Sequence, residues 1–124
     1  MSHPSADRAS HTIPSIQKAS AEGLKLVMVT AYDAATARIA DASGVDIILV
    51  GDSVGNVCLG FDNTLPVTMA MMNHHLEAVA RTKPKALLLG DMPYLSFHLS
   101  VEDTLRNAGD FIRRGAAGVD GAHR

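Results

Sequence analysis

Along the chain, short apolar runs alternate with segments in which apolar residues recur at the spacing of a helix. Three of these runs are continuous and predict buried β-strands, because a strand covered on both faces has no need of polar alternation. The stretch "AAGVD" near the carboxyl end is a candidate fourth strand. The four predicted strands lie within residues 26–30, 45–52, 85–93 and 116–120.

Four segments between these runs have the features of helices. The stretch "SIQKASAEG" predicts a short helix ended by its glycine, and "AATARIADASG" places Ala35, Ile39 and Ala42 on one helical stripe. The other two helices each follow a hydroxyl side chain that can cap a helix, Thr68 and Ser100. Strands that alternate with helices in this way predict an α/β fold with a parallel sheet.

Polar side chains follow the predicted strands at their carboxyl ends. Thr30 and Asp33 follow the first strand, Asp52 and Ser53 follow the second, and Asp91 follows the third. The carboxyl ends of parallel strands share one rim, where α/β proteins build their sites, so we expect these side chains to gather there. The glycine-rich stretch after Ser53 predicts a long loop.

The two strand-end aspartates allow two interpretations. Neighbouring carboxylates repel each other unless a cation lies between them, and hard oxygen ligands suit Mg²⁺. Asp52 and Asp91 are therefore candidate ligands of a magnesium ion. Alternatively, each aspartate caps the following helix or completes a turn.

Two adjacent histidines, His74 and His75, lie in the third predicted helix. Adjacent residues of a helix point about 100° apart, so these two rings are not expected to bind one metal ion. We interpret them as partly exposed residues on the face of the helix.

The composition is that of an ordinary globular protein, with 124 residues, 47% of them hydrophobic and 19% charged. The net charge of -2 argues against a nucleic-acid-binding protein, which normally carries a basic face. One cysteine excludes an internal disulfide and fits a reducing cytoplasm, and no apolar run approaches the roughly 20 residues that cross a bilayer. Residues 1–12 are polar and predict a disordered leader, not a secretory signal. We therefore expect a cytoplasmic protein without nucleic-acid or membrane partners.

Five stretches of the chain carry a family resemblance. They are "VTAYD", "ILVGDSVGNVCLGFDNTLPVTM", "HHLEAVAR", "LLLGDMPYLSF" and "SVEDTLRNAG". Together, from about Ile13 to Gly115, they closely resemble the 3-methyl-2-oxobutanoate (ketopantoate) hydroxymethyltransferases. The resemblance implies a TIM (β/α)8 barrel of the phosphoenolpyruvate/pyruvate type, assembled into homo-oligomers, of which this chain supplies the first three to four βα units.

The same resemblance implies a reaction and a site. The family transfers a hydroxymethyl group from 5,10-methylenetetrahydrofolate to 3-methyl-2-oxobutanoate and forms 2-dehydropantoate for pantothenate and coenzyme A synthesis. Asp52 and Asp91 match the aspartates associated with Mg²⁺, and Asp52, Ser53 and Asp91 match the 2-oxo acid site. The metal ion would stabilise the enolate that forms when the oxo acid loses a proton, and the enolate would attack the folate-borne carbon.

The last residues depart from the family pattern. In the stretch "GVDGAHR", Asp120 stands where the family has a lysine that binds the oxo acid, and Ala122 stands where it has a glutamate that supports the metal site. The family's catalytic base lies further along than Arg124, so no catalytic residue is assigned in this chain. We expect residues 13–115 to form a half-barrel and residues 116–124 a divergent tail, as in a truncated or frame-disrupted product.

Two rival interpretations remain at this stage. A half-barrel exposes unpaired strand edges, so the chain could be a non-catalytic unit that pairs with another chain or with itself. A carbon-carbon lyase that acts on a 2-oxo acid through Mg²⁺ would share the fold, although the stretch "GFDNTLPVTM" argues for the transferase.

Overall fold

The computed structural model describes residues 8–121, and its centre is a four-stranded parallel sheet in the order β1-β2-β3-β4. The strands are β1 (Met28–Thr30), β2 (Ile47–Val50), β3 (Leu87–Asp91) and β4 (Gly118–Asp120). The helices are α1 (Ile13–Ala21), α2 (Ala34–Ala42), α3 (Val54–Val57), α4 (Met69–Ala80) and α5 (Val101–Arg113). The predicted α/β fold with a parallel sheet is confirmed, and the candidate fourth strand is present.

Side chains that bind free backbone N–H groups mark where the helices begin. Thr68 accepts from the N–H of Met71 ahead of α4, and Ser100 accepts from the N–H of Asp103 ahead of α5, as their positions predict. The first helix starts two residues earlier than predicted, at Ile13, because Thr12 caps it in a reciprocal arrangement with the side chain of Ser15. These caps satisfy N–H groups that have no partner within the helix.

The core lies between one face of the sheet and helices α2, α4 and α5. It is formed by fully or almost fully buried side chains that include Ile48, Val50, Leu88, Met72, Leu76, Val79 and Phe111. Gly90 of β3 lets Phe111 of α5 approach the strand closely, since a Cβ built on this glycine would lie 2.8 Å from Cδ2 of that ring. Burial of each large side chain contributes about 1.5–3 kcal/mol.

The opposite face of the sheet is covered less completely. A Cβ built on Gly118 would lie 3.5 Å from Cδ1 of Ile13, so α1 packs on this side of β4. Leu49 and Leu89 are only partly buried, and Met28 in β1 is 54% exposed. In the described part of the chain, this is the face that would line the interior of a barrel.

Two local expectations differ from the structure. The stripe that contains Ile39 points to solvent, where the Ile39 side chain is 70% exposed, while Ala37 is the buried residue of α2. A small side chain lets the helix approach the sheet, and Ile39 lies about 200° around the helix from it. The loop predicted after Ser53 contains helix α3, in which Gly55 packs so closely that an added Cβ would lie 2.5 Å from Cγ2 of Val67.

Two carboxylates at the amino end of the sheet bind backbone groups of neighbouring strands. Asp41, at the end of α2, accepts from the N–H groups of Lys85 and Ala86 just before β3, at 2.9 to 3.1 Å. Asp46, just before β2, accepts from the N–H of Val27 just before β1, at 2.9 Å. These bonds fix the starts of three strands relative to one another.

Residues 1–7 of the predicted leader lie outside the described residues. The segment that follows them is attached to the sheet: the Arg8 guanidinium donates to the Asp41 carboxylate at 2.5 Å, and the His11 backbone N–H donates to the Lys85 carbonyl at 2.7 Å. The division into leader, half-barrel and tail stays a prediction.

The last three residues, 122–124, are also outside the described range. They include Ala122, which stands where the family resemblance predicts a glutamate. Of the tail residues before them, Gly118–Asp120 form β4. No helix between residues 8 and 121 is long and apolar enough to cross a membrane.

Candidate functional site

The carboxyl ends of the strands bring three aspartates to one rim of the sheet. In the register of the sheet, Val50 of β2 pairs with Gly90 of β3, and Asp91 pairs with Asp120 of β4. Asp52 follows β2 by two residues and so lies at the same level. The gathering of these side chains follows from apolar strands that each run into a short polar stretch.

Asp52 and Asp91 are brought together by a direct bond. The backbone N–H of Asp52 donates to Oδ2 of Asp91 at 3.0 Å, and the two residues are 6% and 1% exposed. This bond ties the end of β3 to the loop after β2, so the Asp91 carboxylate is held next to the Asp52 backbone before any ligand binds. Buried carboxylates are costly unless hydrogen bonds or cations compensate them, which is typical of functional sites.

The arrangement offers hard oxygen donors, although no group of three or more His, Cys, Asp or Glu side chains within residues 8–121 is placed to hold a metal ion. Mg²⁺ is commonly bound through only one or two carboxylates, with water and substrate oxygens completing its shell. The chemistry of Asp52 and Asp91 therefore fits that ion.

Ser53 is oriented by a residue that the sequence analysis did not single out. Its Oγ lies 2.6 Å from the hydroxyl oxygen of Tyr32, and it makes no capping bond to α3. Tyr32 follows β1 by two residues, as Asp52 follows β2. That equivalent position at the carboxyl end of a strand is the signal that could have identified it.

A histidine of α4 fixes the backbone of Tyr32. Nδ1 of His75 lies 2.7 Å from the Tyr32 carbonyl oxygen, which can only accept, so Nδ1 carries the proton. The neighbouring His74 is exposed and meets His75 edge-on at 5.2 Å. One ring of the pair is therefore exposed on the face of the helix and the other is partly buried.

Of the other two polar residues at this end of β1, Thr30 is the exposed last residue of the strand, and Asp33 has a structural role. The Asp33 carboxylate accepts from the N–H of Thr36 at 2.7 Å and so caps α2. Hydrogen bonds from Thr36 are the main cause that lowers the pKa of Asp33 below its ordinary value. Asp33 is therefore a helix cap, a role that the sequence analysis considered only for Asp52 and Asp91.

A small cavity of about 120 Å³ opens beside Asp52. It lies between the loop after α3 and the loop that joins β3 to α5. Its other lining residues are Thr64, Leu65, Met92, Tyr94, Phe97 and His98. The walls are mostly apolar and aromatic, in contrast to the acidic rim next to them.

Comparison with protein families and curated proteins gives consistent matches. The family model described as ketopantoate hydroxymethyltransferase matches residues 10–122. A 3-methyl-2-oxobutanoate hydroxymethyltransferase of Methylobacterium sp. (strain 4-46) is 69% identical over 108 residues, which cover 87% of this chain and 37% of that protein. The similarly named protein 2 of Bradyrhizobium diazoefficiens is 67% identical over 120 residues, which cover 96% of this chain and 41% of that protein. The chain thus spans about 40% of the length of these relatives.

Solved structures with low sequence identity share the fold. A 2,3-dimethylmalate lyase of the PEP mutase/isocitrate lyase superfamily has a TM-score of 0.64 at 16% identity, covering 96% of this chain and 39% of its own. A phosphonopyruvate hydrolase in complex with oxalate and Mg²⁺ has a TM-score of 0.70 at 14% identity, covering 88% and 38%. These neighbours are TIM barrels, and the four-stranded sheet described above is a part of such a barrel, as the family resemblance implies.

Proposed function

Since the chain belongs to the ketopantoate hydroxymethyltransferase family, we propose that it carries the part of the family's barrel that binds a 2-oxo acid together with Mg²⁺. The proposed reaction is hydroxymethyl transfer from 5,10-methylenetetrahydrofolate to 3-methyl-2-oxobutanoate. A chain that spans about 40% of its relatives is proposed to bind the acid, and to turn it over only together with the remaining βα units.

The observation that carries the proposal is the bond between the Asp52 backbone and the Asp91 carboxylate. It joins the two family-matched aspartates, which supports the proposal that both bind one cation. A magnesium ion held by these two residues would supply Lewis-acid polarisation of the keto oxygen of the acid. The hard, buried oxygen donors support this assignment.

Tyr32 and Ser53 form a chain of two hydrogen bonds, a relay in which each hydroxyl group donates towards the acid. The substrate carboxylate can only accept hydrogen bonds, so Ser53 must donate its one hydroxyl proton to it. Tyr32, 2.6 Å away, must then donate to Ser53 Oγ. His75, bound to the carbonyl of Tyr32, keeps that ring at the correct place.

Asp120 makes the proposed binding dependent on the cation. It pairs with Asp91 in the sheet, at the position where the family resemblance predicts a lysine. Another carboxylate at this rim repels an anionic substrate instead of attracting it. We therefore expect the 2-oxo acid to bind only when a divalent cation neutralises the rim.

Isothermal titration calorimetry tests the proposal. We expect 3-methyl-2-oxobutanoate to bind the chain in the presence of Mg²⁺, to lose binding in EDTA, and to bind the Asp91→Asn variant about tenfold or more weakly. Asp62→Asn, which changes an exposed aspartate of the loop after α3, is the matched control and should bind like the unaltered chain. Asp120→Lys should strengthen binding. Equal affinity of the Asp91→Asn and unaltered chains would refute the assignment.

A further inference from the structure

One side of α5 carries an apolar stripe that is left open by residues 8–121. Its members Val101, Leu105 and Ile112 are 76%, 67% and 49% exposed. Because a helix turns by about 100° per residue, these three side chains lie within about 40° of one another around the helix. The stripe is therefore one continuous apolar surface, and exposed surfaces of this kind mark interaction sites.

The stripe is separate from the faces that hold α5 in the fold. Phe111 packs into the core, and Asp110 accepts from the side chain of Asn73 in α4 at 3.1 Å. Phe111 and Asp110 lie about 100° and 160° around the helix from the centre of the stripe. Changes in the stripe therefore leave the packing of α5 on the sheet and on α4 in place.

A glycine forms a depression next to the stripe. Gly109 lies about one helical turn after Leu105, and a Cβ built on it would meet no atom within 4 Å. It lines a hollow of about 420 Å³ along α5, together with Leu105 and Arg113. A second helix can approach closely at a residue without a side chain, so a leucine of that helix can fill the hollow.

The charges of α5 have opposite signs at its two ends. Its first turn carries Glu102 and Asp103, and its last turn carries Arg113. Arg106 is bound to Glu102 at 2.9 Å, whereas Arg113 makes no ion pair with any residue between 8 and 121. A second α5 in the antiparallel direction would bring its acidic end to Arg113, and the two helix dipoles would also oppose each other favourably.

We propose that the stripe and Gly109 together bind a second copy of this chain through an antiparallel pair of α5 helices. A two-fold axis between Leu105 and Gly109 places Leu105 of each copy in the hollow at Gly109 of the partner subunit. The same axis brings Val101 to Ile112 of the partner subunit. The apolar contacts of the pair are thus repeated on both copies.

The same axis brings Arg113 of each copy to Glu102 of the partner subunit. The surface is therefore self-complementary in shape and in charge, which is why a second copy is the occupant. A single pair of 13-residue helices buries a small area, so we expect weak association, with a dissociation constant in about the micromolar range.

Sedimentation velocity at increasing concentrations of the chain tests the pairing. We expect the chain to pass from monomer to dimer as its concentration rises. Leu105→Ala removes the contact and Gly109→Leu fills the hollow, so each should raise the dissociation constant of the dimer about tenfold or more. Ile39→Ala is the matched control, because this side chain is 70% exposed on α2, and it should leave the constant unchanged.

Charge reversal tests the direction of the two helices. Arg113→Glu places an acid opposite Glu102 of the partner subunit and should raise the dissociation constant about three- to tenfold. Addition of Glu102→Arg restores opposite charges across the interface, so the double variant should regain most of the affinity. Equal weakening in the single and double variants would overturn the antiparallel arrangement. Arg38→Glu, which changes an exposed arginine of α2, is the control for net charge.

Each outcome of the sedimentation experiment decides the proposal. A chain that stays monomeric up to about 1 mM overturns it and leaves a further βα unit as the occupant of the stripe. A dimer that Leu105→Ala and Gly109→Leu both leave unchanged also overturns it, since its copies are joined elsewhere, for example at the outer strands β1 and β4. A dimer that both variants weaken and Ile39→Ala does not supports it. If Leu105→Ala does not fold, Gly109→Leu tests the same contact, because it adds a side chain to empty space.

Discussion

The contact between Gly90 and Phe111 predicts that a single methyl group at residue 90 destabilises the fold. A Cβ at Gly90 would lie 2.8 Å from Cδ2 and 3.0 Å from Cε2 of the Phe111 ring, well inside the roughly 3.5 Å of an ordinary carbon contact. The ring is fully buried in the core between α5 and β3, where packed neighbours resist its displacement. We expect Gly90→Ala to lower the free energy of unfolding by about 1–3 kcal/mol, as for other overpacked cores.

A double-mutant cycle separates this clash from other effects of losing a glycine. Phe111→Leu alone should cost about 1–2 kcal/mol through lost burial. In the double variant the smaller side chain leaves room for the methyl group, so the combined cost should be lower than the two single costs together by about 0.5–3 kcal/mol. Urea unfolding, followed by far-UV circular dichroism and analysed with a shared m-value, gives the free energy of unfolding of all four proteins.

Gly109→Ala is the matched control for the cycle. This glycine lies within α5, and a Cβ built on it meets no atom within 4 Å. The change should therefore stabilise the protein by about 0.5–1 kcal/mol, the ordinary gain in a helix. If Gly90→Ala is as stable as the unaltered chain, or the cycle shows no coupling to Phe111, then the close packing of this ring on β3 does not exist.

Three further predictions concern single polar side chains. Asp41→Ala leaves backbone N–H groups at the amino end of β3 without their acceptor and should lower the free energy of unfolding by about 2–3 kcal/mol in urea titrations; loss of less than 0.5 kcal/mol would contradict the bonding described. The pKa of Asp33 is lower in the folded chain than in the unfolded chain, so its stabilisation of α2 is complete above the unfolded-state pKa and is lost as the pH falls through the folded-state pKa. Asp33→Asn should remove this part of the acid sensitivity of the melting temperature. An unchanged profile of melting temperature against pH would contradict the prediction. Tyr32→Phe removes the donor to Ser53 and should weaken binding of 3-methyl-2-oxobutanoate about tenfold in calorimetry, without changing the melting temperature by more than a few degrees; equal affinity would exclude the relay.

The sheet and the acidic rim could be predicted because their determinants are local. Each buried strand is a short apolar run, and the residues directly after it must lie at the carboxyl rim once the sheet is parallel. The stretches "VGDS" and "LGDMP" therefore predict that Asp52 and Asp91 lie at this rim. The caps Thr68 and Ser100 are equally local, because each binds an N–H group three residues ahead.

The remaining features depend on contacts between distant parts of the chain. The bond from Tyr32 to Ser53 joins residues 21 positions apart, and that from His75 to the Tyr32 carbonyl joins residues 43 positions apart. Their formation depends on how α4 lies on the sheet, which periodicity does not specify. The side of α2 that faces the core also depends on distant contacts. The apolar stripe through Ile39 predicts the helix correctly but not its rotation, because the small side chain of Ala37 is the one that packs on the sheet.

The carboxylates of Asp41 and Asp46 have a consequence for how variation can be distributed over this fold. Both lie within six residues of each other in sequence, and between them they bind the starts of β1 and β3 to the segment that leads into β2. A short turn at the amino end thus sets the alignment of three strands. Because the strands are already aligned at this end, loops at the opposite end can vary with less effect on strand pairing, and new substrate specificities can be selected there.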